Sequence, residues 1–91
     1  MRYPTRPDYT PLLSGLSQED LFTLQAVLQH GGLTLEEHAA LFQSSEKESL
    51  ARLETLQDRE LIQPDPDRPG FRVRPEAARL VREALHRRNL L

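Results

Sequence analysis

Cysteine is absent from this 91-residue chain. Its absence excludes disulfides, thiolate zinc sites and cysteine nucleophiles, and fits a cytoplasmic location. No apolar run approaches the roughly 18 residues of a membrane span, and no signal peptide is visible. A surplus of positive charge is also missing. The net charge is −2, so the chain as a whole is not a polycation that would hold nucleic acid by charge alone. Histidine is scarce. His30, His38 and His86 fall on three different predicted helices, without the His-Glu-x-x-His spacing of a zinc hydrolase. Each is expected at the surface. Glycine forms no phosphate-binding loop, because Gly31-Gly32 ends a helix instead of opening one. Ser14-Gly15 lacks the context of a nucleophile elbow. These absences lead to an expectation of no enzymatic activity and no cofactor.

One metal motif is partly spelled out. Asp65, Asp67, Gly70 and Glu76 occupy positions 1, 3, 6 and 12 of a calcium-loop pattern. Position 5 is Pro69, which has no ligand side chain, and position 8 is Arg72 where an aliphatic residue belongs. Arg68, Arg72 and Arg74 would place three cations inside the loop. The pattern therefore reads as a hairpin turn and not as a calcium site.

The residues present suffice for one small domain with 37% hydrophobic and 29% charged residues. Residues 1–11 contain three prolines and read as an extended arm, from which Tyr3 and Tyr9 could pack onto the body or onto a second subunit. Residues 12–91 read as the folded domain. Ser17 with Asp20, Thr34 with Glu37, and Ser45 with Glu48 repeat the three-residue spacing of a capping box. They predict helices starting at residues 18, 35 and 46. Gly31-Gly32 ends the first and Gln43-Ser44 turns after the second. In the third, Leu50, Leu53 and Leu56 are expected on one buried arc, with Lys47, Glu48, Ala51, Arg52, Thr55, Asp58 and Arg59 facing outward.

After a helix end near Arg59, residues 61–63 and 71–73 flank a loop rich in proline and glycine, the pattern of a β-hairpin. Phe71 and Val73 should point inward, Arg72 and Arg74 outward. Pro75 starts a last helix over residues 75–88. The predicted fold is mainly α with a small β-hairpin, in the order helix, helix, helix, hairpin, helix.

That order resembles the winged helix-turn-helix superfamily, most closely its MarR and ArsR type, over residues 17–85. The resemblance is carried by Leu33-Thr34-Leu35-Glu36-Glu37, by residues 45–56, by the exit Leu56-Gln57-Asp58-Arg59-Glu60-Leu61-Ile62, and by Phe71-Arg72-Val73-Arg74-Pro75. The exit departs from the family's pattern, with Glu60 standing where glycine is usual. A looser likeness is to C-terminal winged-helix modules of bacterial membrane-associated ATPases. It rests on the arginine-rich last helix and the ending Arg87-Arg88-Asn89-Leu90-Leu91, and no ATPase motif accompanies it.

The resemblance implies two functions that the charges weigh differently. A DNA-binding regulator would contact duplex DNA through helix 45–59 and the cations Lys47, Arg52, Arg68, Arg72, Arg74, Arg79 and Arg82. Yet residues 17–67 carry eleven acids against three bases, −8, whereas residues 68–91 carry seven arginines against two acids, +5. Acidic side chains crowd the helix that would approach phosphate. Segregated charge of this kind suits oriented contacts with a protein partner or a second copy of the chain. Protein contact or self-association, with a homodimer as the expected form, is therefore the preferred expectation. Tyr3, Tyr9, Leu12, Leu13, Leu90 and Leu91 are its candidate contact residues.

Overall fold

A computed structural model of the chain describes residues 15–91. Tyr3, Tyr9, Leu12, Leu13 and the predicted arm lie outside the described residues. Within them, four helices and a two-stranded antiparallel sheet follow one another as α1 Gln18–His30, α2 Leu35–Phe42, α3 Glu46–Asp58, β1 Ile62–Pro64, β2 Phe71–Val73 and α4 Pro75–Arg87.

All three capping boxes form, with both arms of each in place. The Ser17, Thr34 and Ser45 hydroxyls accept from the backbone N–H of the third helical residue at 3.0–3.1 Å. The Asp20, Glu37 and Glu48 carboxylates accept from the cap N–H in return. Each cap contributes about 1 kcal/mol. Together they fix where three short helices begin, which propensity alone does not do at these lengths. Gly31 ends α1 in the left-handed conformation at φ 68°. Pro75 opens α4 at its first turn, where a missing N–H costs nothing.

The exit from α3 is a Schellman turn. The Glu60 N–H donates to the Gln57 carbonyl and the Leu61 N–H to the Leu56 carbonyl, at 2.9 and 3.1 Å. This geometry needs a left-handed residue at Glu60, whose φ is 62°. It also delays the first strand by one residue relative to the sequence expectation, because Leu61 still bonds back to the helix. The hairpin pairs Ile62 with Val73, Gln63 with Arg72 and Pro64 with Phe71. Leu33, between α1 and α2, bridges to β2 as well: it exchanges both backbone hydrogen bonds with Phe71 at 2.8 Å. Gly70 makes that approach possible. A Cβ there would stand 2.7 Å from the Leu33 carbonyl oxygen, and its φ is 110°.

The fully buried apolar cluster draws on α1, α3, β1, α4 and the connecting segments, and α2 reaches it only through half-buried Leu35. Leu21, Leu24 and Val27 of α1 meet Leu53 and Leu56 of α3, Leu33, Leu61 and Ile62 of the strand segments, and Ala77, Val81 and Leu85 of α4. Phe71 and Val73 pack against it half-buried, as does Leu90 beyond α4. The arc expected on α3 is corrected at one position. Leu50 is 40% exposed, and buried Ser49 takes its place beside Leu53 and Leu56. Ser49 stands four and seven residues before those leucines, so it shares their face more closely than Leu50 does.

Two substitutions separate the glycine requirements. Glu60→Gly relieves left-handed strain at the cost of a loose exposed ion pair to Arg74, 3.8 Å apart. It should raise stability by about 1 kcal/mol. Gly70→Ala adds both strain and a backbone clash, and should lower stability by more than about 1 kcal/mol. Urea unfolding of the two variants checks both signs.

Candidate interaction surface

A buried chain of hydrogen bonds sits where the first three helices meet. The Thr23 hydroxyl of α1 lies 2.9 Å from His38 Nε2 of α2, and His38 Nδ1 lies 2.6 Å from the Ser49 hydroxyl of α3. Ser49 continues to the Ser44 hydroxyl at 2.7 Å. His38 is 3% exposed, which corrects its expected surface position. A neutral imidazole offers one donor and one acceptor, and two hydroxyls satisfy both whichever tautomer is present. Satisfied in this way, the ring can be buried without the penalty of an orphaned polar atom. Its flat face also stacks on Phe42, the centroids 4.4 Å apart. The signal in the sequence is indirect: Thr23 lies four residues before Val27, and Ser49 four before Leu53, on the buried sides of their helices.

Burial, and next the Arg52 guanidinium nearby, hold the His38 pKa below its ordinary value of 6.5. Arg52 is itself relocated relative to expectation. Instead of facing outward from α3, it reaches back to α1. Its guanidinium donates to the buried Asp20 carboxylate at 2.7 Å and to the Ser17 hydroxyl at 3.2 Å. Asp20 therefore serves two partners, the cap of α1 and the cation of α3. Burial alone would push its carboxyl up. The Ser17 N–H and Arg52 outweigh burial and hold the group below the usual carboxylate range.

The other predicted cations divide into engaged and open ones. Arg68 donates to the Gly31 carbonyl at 2.7 Å and faces Asp65 at 3.6 Å. Arg74 pairs with Glu76 at 2.9 Å and with Glu60 at 3.8 Å. Arg79 pairs along α4 with Glu83 at 3.3 Å. Arg72 is half-buried on β2, and its charge acts on Asp65. The Asp65 carboxylate is held below its ordinary range first by the Asp67 N–H it accepts, and further by the Arg68 N–H and the two arginines. Its oxygens thus organise the hairpin loop. Lys47 and Arg82 are exposed and have no ion pair among the described residues. Leu90 packs on its own chain's core and its carbonyl accepts from the Gln25 side chain, while Leu91 is 47% exposed.

These placements leave an acidic face on the helical pair. Glu36 and Glu37 of α2 and Glu46, Glu48, Glu54 and Asp58 of α3 are all exposed, with Lys47 as the exposed base between them. Beside that face opens a cleft of about 320 Å³. Thr23, His38, Phe42 and Ser44 line it together with Arg52, Glu19 and Glu48. Arg52 is already neutralised by Asp20, so the charges that the cleft presents are the two glutamates.

Two of the shifted groups, His38 and Asp20, are buried, and each ties the stability of the fold to pH. His38 binds its proton more weakly folded than unfolded, so its contribution is complete above about pH 6.5 and declines as pH falls toward the lower folded value. Asp20, with a folded pKa below 3.8, keeps its contribution until more acid conditions and loses it there. Thermal unfolding should therefore show a first loss of stability as pH falls below about 6.5, removed in His38→Gln, and a second below about pH 4, reduced in Asp20→Asn.

Comparison of the chain with protein-family models, with curated proteins and with solved structures finds no match.

Proposed function

We propose that the chain is a winged-helix module that acts through protein–protein contact and carries no enzymatic activity. The order of three helices, hairpin and helix supports the winged-helix reading. So does the bridge that Leu33 makes to β2. In this reading α3 is the helix that a DNA-binding relative would present to the major groove, and the hairpin is the wing.

The observation that carries the functional half is the fate of the cations. Binding to duplex DNA requires positive side chains free to displace counterions from phosphate. Arg52, the arginine of α3 with the geometry to read guanine, is committed to Asp20 inside the fold. Arg68, Arg74 and Arg79 are likewise held against carboxylates of the same chain. What α2 and α3 offer outward is six carboxylates and one lysine. Such a face repels phosphate and suits a protein surface bearing complementary charge.

The competing reading is a DNA-binding regulator that contacts duplex DNA through helix 45–59 and the hairpin arginines Arg68, Arg72 and Arg74. Titration with random duplex DNA at ~50 mM salt decides between them, because even non-specific binders show strongly salt-dependent affinity there. No binding is the expected result. Binding that weakens steeply with salt and disappears in Arg72→Glu/Arg74→Glu would overturn the protein-contact reading.

A further inference from the structure

The acidic cleft and the last helix are complementary surfaces on one chain. After internal ion pairs are set aside, Arg82, Arg87 and Arg88 at the C-terminal half of α4 and just beyond it are exposed cations without a carboxylate partner among the described residues. α2 and α3 carry the opposite surplus, and the cleft beside them is bordered by Glu19 and Glu48. Its volume, about 320 Å³, stands at the small end of ligand sites. It suits one long side chain better than a bulky cofactor. Phe42, stacked on His38 by one face, and Ser44, whose hydroxyl also meets Ser49, complete the lining. A guanidinium matches this lining on three counts: carboxylates to pair with, an aromatic ring to lie against, and an acceptor oxygen to donate to.

We infer that the chain associates with a second copy of itself, α4 of one copy docking on the α2–α3 face of the next, with Arg82 entering the cleft between Glu19 and Glu48. This inference rests on the protein-contact reading and names the partner for it. The two contacting surfaces differ, so the contact is head to tail. A copy engaged only through its cleft still offers its α4, and a copy engaged only through its α4 still offers its cleft. Assembly is therefore expected to grow with concentration or to close into a ring. Because the contact is built on charge, salt should weaken it.

Sedimentation velocity on the full chain tests this. Wild-type protein should associate with rising concentration at ~20 mM salt and return to monomer at ~500 mM, where screening is nearly complete. Two variants then block one surface each. Arg82→Glu removes the inserted cation. Glu19→Lys/Glu48→Gln removes the cleft charge, and glutamine preserves the capping box at Ser45. Each variant alone should lose association at least ~tenfold. Mixed in equal amounts they should form a one-to-one dimer that grows no further, since one supplies the intact cleft and the other the intact arginine. Recovery in the mixture also shows that both variants are folded. A wild-type chain that stays monomeric at low salt, or an Arg82→Glu chain that associates as well as wild type, overturns the inference. Neither result touches the protein-contact reading, which stands or falls on the DNA titration.

Discussion

Three helices of this small chain are held at one junction by an imidazole between two hydroxyls. α2 is too short to bury much apolar surface and contributes no residue to the fully buried apolar cluster. Its place is set by His38, which reaches Thr23 on one neighbour and Ser49 on the other. Hydrogen bonds in a dry environment are directional and costly to leave half made. They therefore specify angle and register where a few leucines would specify only proximity. The cleft, the acidic face and the course of the turn into α3 all depend on that alignment. Phe42, stacked on the same ring, carries the alignment to the edge of the cleft.

Charge is used in two ways. Asp20, Asp65 and Glu76 each hold an arginine of the same chain. These pairs fasten α3 to α1, shape the hairpin loop and steady the start of α4. An exposed pair adds little stability, whereas Asp20 is buried and also caps a helix, so the Arg52 contact is the one with structural consequences. The carboxylates left over are concentrated on α2 and α3, and the arginines left over on α4. A net charge of −2 conceals this division entirely.

The backbone plan was legible because its signals are local. Three serine or threonine caps with an acid three residues on, a glycine pair after α1, and Pro75 before α4 each act within one turn of chain. The hairpin was legible from Pro64 to Gly70 for the same reason. What could not be read were the partnerships that span the chain. Arg52 and Asp20 lie thirty-two residues apart, and neither position hints at the other, so Arg52 read as an outward cation. His38 read as a surface residue because its type is polar, although Thr23 and Ser49 were already out of place among apolar neighbours. Leu50 was assigned to the core by a three-residue repeat, when the four- and seven-residue spacing back from Leu53 and Leu56 points to Ser49. Glu60 is the opposite case: it stands where glycine is usual, and its φ of 62° is the left-handed value that suits glycine.

The hairpin loop has a pinned frame and a free tip. The Asp65 N–H donates to the Gly70 carbonyl at 2.9 Å, and the Arg68 side chain ties the loop to Gly31 at the end of α1. Gly70 lies against the backbone of Leu33 with no room for a Cβ. Pro66, Asp67 and Pro69 are exposed between these anchors. Substitutions and insertions in the hairpin are thus accommodated at its tip, around residues 66 and 67. Changes at 65, 68 or 70 would reach the corner between α1 and α2. The loop's tolerance for change therefore faces outward, away from the joint on which the helices turn.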